Sequence, residues 1–354
     1  MSRASTKMLK TALSALHYSG LGSLFAPLTR GQGVIFTLHQ VVPEERRPFD
    51  PNGILRVTPQ FLEAVVIQVR DAGFDFVSLD EAEKRISGDI GSGRPFACFT
   101  FDDGYRDNRV HAHPILKRHG VPFTIYVPTD FPDGRGELWW LALEEVVRRS
   151  PAVIVQMAGT VRNFPCLTTA DKKGAYDSIY WWLRGLPEDR SRQVVRELAA
   201  GAGVDIGAIC RDLIMTWDEI RELATDPQVT IGAHTCRHYA VARLAADEAR
   251  SEIANSIRRV EEELGRPCRH FSFPYGDETS ASPRDFQIAA DLGVATAVTT
   301  RKGLIQGGGR DELTGLPRVS LNGDYQHGRY VEVLLTGAPF AFWNLFRRER
   351  AVAP

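Results

Sequence analysis

Short apolar segments alternate with amphipathic helical segments along most of this sequence, and this order constrains the fold more than any other feature. The first apolar segment, residues 33–39, is followed by a helix predicted at 58–72, with Thr58 as its N-cap and Pro59 in its first turn. Repeated strand and helix units predict an α/β fold with a mostly parallel sheet, whose functional side chains gather where the strands end. The predicted strands are 33–39, 74–78, 96–101, 123–127, 229–232, 270–273, 294–299 and 316–320.

The regular alternation stops in residues 130–227, where helical patterns prevail and few convincing strands are found. We interpret this segment as a mainly helical insertion in the α/β domain. The domain itself is predicted to consist of residues 31–129 and 228–330.

Both ends of the chain are amphipathic. In residues 1–30 the apolar side chains are spaced as on a helix, and polar residues at 17–20 interrupt them. This segment is too broken to span a bilayer, which requires ~20 consecutive apolar residues. Residues 331–354 form a second amphipathic segment with a basic end. The two alternatives for these segments are packing on the α/β domain and peripheral contact with a membrane.

The composition excludes several classes of protein. Of the 354 residues, 43% are hydrophobic, which is ample for a large core, and the formal net charge is −1. Because nearly equal numbers of basic and acidic residues give no broad positive electrostatic field that would attract a polyanion, nucleic acid is not an expected partner. The five cysteines form no CxxC pair, which argues against a disulfide framework and a cysteine zinc site. Together with the absence of a recognisable signal peptide, they predict a cytoplasmic protein, with membrane association through the ends as the alternative.

A pair of acidic residues directly follows one predicted strand. The apolar segment 96–101 ends at Asp102, Asp103 and Gly104, and the glycine with the polar residues after it indicates a turn. Neighbouring side chains of an extended chain point to opposite sides. One carboxylate is therefore expected to bind a metal ion, while the other handles a proton.

Two further motifs follow later strands. His234 and His238 are four residues apart, so on a helical turn both imidazoles face the same way, and with Asp103 they predict a metal site of two histidines and one carboxylate. This ligand set suits zinc best, and also cobalt, nickel or iron. The sequence Phe-Pro-Tyr-Gly at 273–276 predicts a turn that directs a backbone N–H into the site as an oxyanion donor.

In this order, Thr-Phe-Asp-Asp-Gly at 100–104, His-Thr-Cys-Arg-His at 234–238 and Phe-Pro-Tyr-Gly at 273–276 resemble the motifs of the NodB-type polysaccharide deacetylases, carbohydrate esterase family 4. The resemblance covers about residues 33–321, with 130–227 as an addition. It implies a distorted (β/α)7-type barrel and metal-dependent removal of an acetyl group from an N-acetylated sugar. It also implies residue roles: Asp102 as general base, Asp103, His234 and His238 as metal ligands, and the backbone at Tyr275 in the oxyanion site.

The sequence departs from the family pattern near its end. Many members have a late Leu-x-His motif that supplies the general acid, but Leu-Pro-Arg stands at 316–318. His39, at the end of the first predicted strand, is similar to the strand-ending histidine of a permuted branch of the family, and we assign the general acid to it. We assign Arg318 to the substrate side of the site, where it orients Asp102 through a bidentate ion pair. A structural or surface role of Arg318 is the alternative.

The predicted activity is removal of the acetyl group from an N-acetylglucosamine-type oligosaccharide, polysaccharide or glycolipid, which yields acetate and a free amine. O-deacetylation, another amidase activity and a catalytically silent carbohydrate-binding protein are the alternatives. The tryptophan pairs 139–140 and 181–182 are candidates for packing on sugar rings, but at most one member of each pair can line a cleft. If the insertion covers the site, short oligosaccharides or lipid-linked sugars are favoured over long polymers.

Overall fold

The computed structural model describes residues 3–44, 46–91, 93–307, 312–341 and 343. Its strands are β1 (Gly33–Leu38), β2 (Gln40–Val41), β3 (Arg56–Val57), β4 (Asp75–Phe76), β5 (Phe96–Phe101), β6 (Phe123–Val127), β7 (Ala152–Met157), β8 (Thr160–Pro165), β9 (Val229–Ala233), β10 (His270–Ser272), β11 (Thr296–Lys302) and β12 (Leu316–Ser320). The α-helices are α1 (Arg3–Ser19), α2 (Leu21–Thr29), α3 (Pro59–Asp71), α4 (Leu79–Ser87), α5 (His113–Arg118), α6 (Trp139–Arg149), α7 (Thr169–Gly185), α8 (Glu188–Gly201), α9 (Ile206–Leu213), α10 (Trp217–Leu223), α11 (Ala246–Leu264), α12 (Pro283–Asp291) and α13 (Gly328–Leu335).

Seven parallel strands close into a barrel. Their spatial order is β1, β12, β11, β10, β9, β6, β5 and back to β1, and β4 adds a short segment beside β5. Helices from the crossover connections surround the strands, as the repeated strand and helix units of the sequence require. The predicted (β/α)7-type barrel is therefore confirmed.

The barrel interior is apolar at one end and polar at the other. Alternate residues of each strand point inward, and the pairing of β1 with β5 places Ile35 opposite Cys98 and Thr37 opposite Thr100. Ile35 and Cys98 belong to an apolar cluster, which helix α4 completes with Leu79 and its neighbours. The next inward residues along these two strands, Thr37 and Thr100, are polar. The polar end of the barrel interior is therefore the end that contains the C-terminal ends of the strands.

The insertion, residues 130–227, contains helices α6 to α10 and forms most of a second apolar cluster, to which Phe49 and Tyr105 also contribute. It also contains an antiparallel hairpin of β7 and β8, which the sequence analysis did not predict. Val153, Val155 and Met157 are buried on one face of β7, while Ile154 between them is exposed. The alternation is present in the sequence, but it is too short to distinguish a hairpin from an irregular segment.

Within the predicted amphipathic helix of residues 1–30, the described part forms two helices, α1 and α2, instead of one. The chain breaks at Gly20, whose φ of 68° is left-handed and unfavourable for other residues. Helix α1 packs on α13 through Leu13, which joins a small buried cluster with Tyr330 and Val333. Among the described residues, none of the helices has the length and apolar character needed to cross a bilayer. Half of the predicted C-terminal amphipathic tail of residues 331–354, namely residues 342 and 344–354, lies outside the described residues.

Candidate active site

Asp102 continues the inward face of β5 and is held by Arg318 of β12. Arg318 Nη1 donates to Asp102 Oδ1 over 2.9 Å, and Nη2 donates to Oδ2 over 2.7 Å, so the ion pair is bidentate. The other donors of this guanidinium are bound to Thr299 O, Thr100 Oγ1 and Ser272 Oγ. All five N–H groups of Arg318 are therefore used inside the protein, and its geometry is that of a residue that orients Asp102 and does not touch substrate.

Electrostatics keeps Asp102 ionised. Burial by itself raises the pKa of this carboxyl group, but the charge of Arg318 and its two hydrogen bonds outweigh burial and hold the pKa well below its usual range. A second donor, Thr37 Oγ1, lies 3.4 Å from Oδ2. The carboxylate is thus fixed in place and charged at neutral pH.

Asp103, His234 and His238 come together from two distant parts of the chain. The Nε2 atoms of His234 and His238 lie 3.6 and 3.2 Å from Asp103 Oδ1, and the three candidate ligand atoms are all within 4.8 Å of one another. All three side chains are buried.

The donor atoms of this group fit a divalent cation. Asp103 Oδ1 is buried and, within the described residues, has no hydrogen-bond partner. His234 Nδ1 lies 2.6 Å from Ser272 O, an acceptor, so Nδ1 carries the proton and Nε2 presents its lone pair towards Asp103. Burial lowers the pKa of His234 to about 4, which keeps the imidazole neutral, as a metal ligand must be.

The backbone at these positions is unusual. Asp103, Thr235, His238 and Tyr275 have φ values of 76°, 64°, 57° and 61°, in the left-handed region that residues with a Cβ seldom adopt. The two histidines consequently lie in a loop after β9, and the prediction that they share a helical turn is wrong. The left-handed backbone turns the side chains of Asp103 and His238 towards each other. On a helix, the two histidines would instead be spaced about one turn apart.

Tyr275 closes one side of the metal-ligand group. Its ring lies 4.8 Å from that of His238, and its carbonyl accepts from Thr300 Oγ1 over 2.5 Å. Within the described ranges its backbone N–H donates to no protein acceptor. The sequence motif therefore places an available N–H group at the turn beside His238.

His39 follows β1 directly and is half-buried at the same end of the barrel. Its ring is close enough to interact electrostatically with Asp102 and Asp103. Two residues that the sequence analysis missed fix its backbone: Asn108 Nδ2 donates to His39 O over 2.7 Å, and Asp107 Oδ1 accepts from Val41 N over 2.7 Å. The sequence feature that could have identified Asp107 and Asn108 is the run of polar residues after Gly104, which we interpreted only as a turn.

The insertion builds a wall of the site. The ring of Trp140 lies 4.9 Å from that of His238, and Trp139 Nε1 donates to the hydroxyl oxygen of Tyr275 over 2.8 Å. The Arg192 side chain, also from the insertion, donates to His238 O over 3.3 Å. Trp139 and Trp140 are thus core residues of the insertion that also contact residues of the candidate site.

Comparison with known proteins agrees with this arrangement. The family model described as polysaccharide deacetylase matches residues 189–297, a segment that contains His234, His238 and Tyr275. YxkH of Bacillus subtilis (strain 168), assigned by name to the polysaccharide deacetylases, is 34% identical over 73 residues, 21% of this chain. The match spans only 26% of the length of that relative.

Solved structures show the same fold. The deacetylase PplD of Streptococcus pyogenes aligns with a TM-score of 0.54 at 17% identity, over 82% of this chain and 92% of that one. IcaB from Ammonifex degensii aligns with a TM-score of 0.53 at 18% identity, over 86% and 97% of the two chains. With its closed seven-stranded barrel and an Asp-His-His group at the strand ends, the molecule is of the NodB type. The barrel is therefore similar to those of solved deacetylases, and residues 189–297 match the polysaccharide deacetylase family.

Proposed function

We propose that this protein is a metal-dependent deacetylase that removes the acetyl group from an N-acetylated sugar and releases acetate and a free amine. One observation carries the proposal. A buried group of one carboxylate and two imidazoles lies beside an ion-paired second carboxylate at the mouth of the barrel. A protein that only binds sugar has no need for this combination of four side chains.

Asp103, His234 and His238 would hold a divalent ion, for which we propose zinc because imidazole nitrogen and carboxylate oxygen are common zinc ligands. Such an ion lowers the pKa of bound water and polarises a carbonyl group. His39 would take the role of general acid, as in the permuted branch of the family.

The protein groups divide the remaining chemistry. The charged Asp102, held by Arg318, accepts a proton from the attacking water as its oxygen bonds to the acetyl carbon. The N–H of Tyr275 donates to the carbonyl oxygen as negative charge develops on it. His39 gives a proton to the sugar nitrogen as the carbon–nitrogen bond breaks, which leaves acetate and the amine.

Metal dependence gives a direct test. The purified protein is expected to contain a stoichiometric divalent ion and to release acetate from N-acetylglucosamine oligomers, whereas chelation should abolish release until the ion is restored. His234→Ala should lose both the ion and the activity, because two ligands bind a divalent ion much more weakly than three. Metal content measured by mass spectrometry and acetate measured enzymatically check both statements.

The outcomes separate the alternatives. Bound metal without acetate release from N-acetylated or O-acetylated sugars would support a carbohydrate-binding protein and contradict the hydrolase. Release from O-acetylated sugars alone would replace N-deacetylation with O-deacetylation.

The aromatic residues of the insertion indicate how a longer substrate is bound. Tyr180 stacks on Trp139 with ring centroids 5.0 Å apart, and Trp181 packs edge-on against Tyr180 at 5.2 Å. Trp181 is 62% exposed, unlike Trp139 and Trp140, which are buried. Of the two tryptophan pairs, Trp181 is therefore the member available to a sugar ring. We infer that it contacts a residue of the substrate beyond the one that is deacetylated.

Trp181→Ala is expected to raise KM for longer N-acetylglucosamine oligomers by about 2- to 10-fold, the effect of losing roughly 0.5–1.5 kcal/mol of ring contact. KM for the dimer and kcat for all lengths should stay unchanged, because the ring touches no reacting group. Leu167→Ala, which removes another exposed apolar side chain of the insertion, is the matched control. An equal KM increase for short and long substrates would contradict the proposed contact.

A further inference from the structure

Helix α2 presents an apolar stripe to solvent. Leu21, Leu24 and Leu28 are 44%, 70% and 84% exposed, and their spacing of i, i+3 and i+7 places them on one face of the helix. Most surface helices turn such a stripe towards the core. We call this surface the α2 face.

The inward side of α2 is made of small residues. Gly22 and Ala26 are buried, and a Cβ at Gly22 would meet the side chain of Thr336, which follows α13. Thr29 Oγ1 also donates to Thr336 O over 2.6 Å. Because α2 is held through these close contacts, its large apolar residues remain on the outside.

The charge around the α2 face has a single sign in the sequence. Residues 1–43 contain four basic residues, Arg3, Lys7, Lys10 and Arg30, and no aspartate or glutamate. Lys7, on the preceding helix α1, is exposed. Glu332 of α13 pairs with His17 of α1 over 3.2 Å. Along the chain, the exposed Lys7 and the partly exposed Arg30 stand before and after the α2 face, and this combination of apolar and basic residues is complementary to a bilayer that carries anionic headgroups.

We propose that the α2 face docks on an anionic membrane surface, with Leu24 and Leu28 entering the headgroup region. Helix α2 leads through Arg30 into the start of β1, whereas Asp102 and Asp103 lie where β5 ends. The parallel strands therefore separate the α2 face from the candidate active site, and docking leaves the site open to the aqueous side. This inference does not depend on the proposed deacetylase activity.

Vesicle flotation tests the proposal with the full chain. The protein is expected to float with phosphatidylcholine vesicles that contain phosphatidylglycerol, and to bind less to phosphatidylcholine alone and at high salt. The double variant Leu24→Gln/Leu28→Gln should weaken binding by about tenfold or more, because two apolar side chains no longer leave water. Leu28→Trp, which keeps an apolar residue, should bind at least as well as the unchanged protein.

Ile154→Gln/Val161→Gln in the β7–β8 hairpin is the matched control, since these side chains are also exposed and should leave vesicle binding unchanged. Thermal unfolding of each variant checks that the fold is retained. Equal binding to both vesicle types, or equal binding by the double variant, would overturn the proposal. A dimer in light scattering that the double variant dissociates, without vesicle binding, would assign the α2 face to a second copy of the chain.

Discussion

Asp102→Asn is expected to bind the metal like the unchanged protein and to lower kcat by about 10²–10⁴-fold. The amide has the shape of the carboxylate and leaves Asp103, His234 and His238 in place, but it cannot accept a proton from water. Deacetylation kinetics together with metal content by mass spectrometry test this expectation. An Asp102→Asn enzyme with normal turnover would refute the assignment of Asp102 as general base.

The variant His39→Gln distinguishes the role of the general acid from that of the general base in the same kinetic experiment. An aryl acetate such as 4-nitrophenyl acetate has a leaving group that departs without a proton, whereas an amide nitrogen requires one. His39→Gln should therefore lose amide hydrolysis and keep hydrolysis of the aryl ester, while Asp102→Asn should lose both. Equal losses on the two substrates for His39→Gln would show that His39 does more than protonate the leaving group, or that another residue is the acid.

Arg318→Met is expected to destabilise the fold by about 3–5 kcal/mol, because it leaves the carboxylate of Asp102 buried without its counter-ion. It should also lower kcat, since the base loses its orientation. Denaturant unfolding measures the first effect and acetate release the second.

Two further variants test whether the broken ion pair causes the loss of stability in Arg318→Met. In Asp102→Asn/Arg318→Met the uncompensated charge is gone, so much of the lost stability should return while activity stays low. Arg318→Lys keeps the charge but not the two parallel hydrogen bonds, and it should fall between the unchanged protein and Arg318→Met. If the double variant is as unstable as the sum of the two single variants, the ion pair is not the source of the effect.

Much of the fold was predictable from local pattern. The segments predicted at 96–101, 123–127 and 316–320 coincide with β5, β6 and β12, and helix α3 begins at Pro59 after the predicted Thr58 cap. Buried parallel strands are continuous apolar runs and helix caps are single residues, so both signals are carried by neighbouring positions of the chain. The candidate metal ligands were predictable for the same reason, because each follows a strand end within a short motif.

Other features could not be read from local pattern. The histidines of the 234–238 motif are brought together by left-handed backbone at Thr235 and His238, not by a helix. The outward stripe of α2 has the periodicity of a buried helix, and only its contacts with Thr336 show which side faces the protein. Periodicity gives the face that carries the apolar residues, but it does not give the neighbour that covers that face.

Local pattern was sufficient to predict an α/β fold with a mostly parallel sheet and with carboxylates and histidines at strand ends, because apolar runs and residue types are local properties, whereas the barrel was implied by the family resemblance. The family resemblance suggested the pairing of Arg318 with Asp102, 216 positions apart in the chain, and the place of His39; the folded structure shows that the ion pair forms and that His39 lies at the same end of the barrel. These neighbours depend on the closure of the barrel, where β1 bonds to both β5 and β12 and the register of each pair sets which side chains meet. Such pairings are fixed by contacts between distant strands, and no stretch of neighbouring residues encodes them.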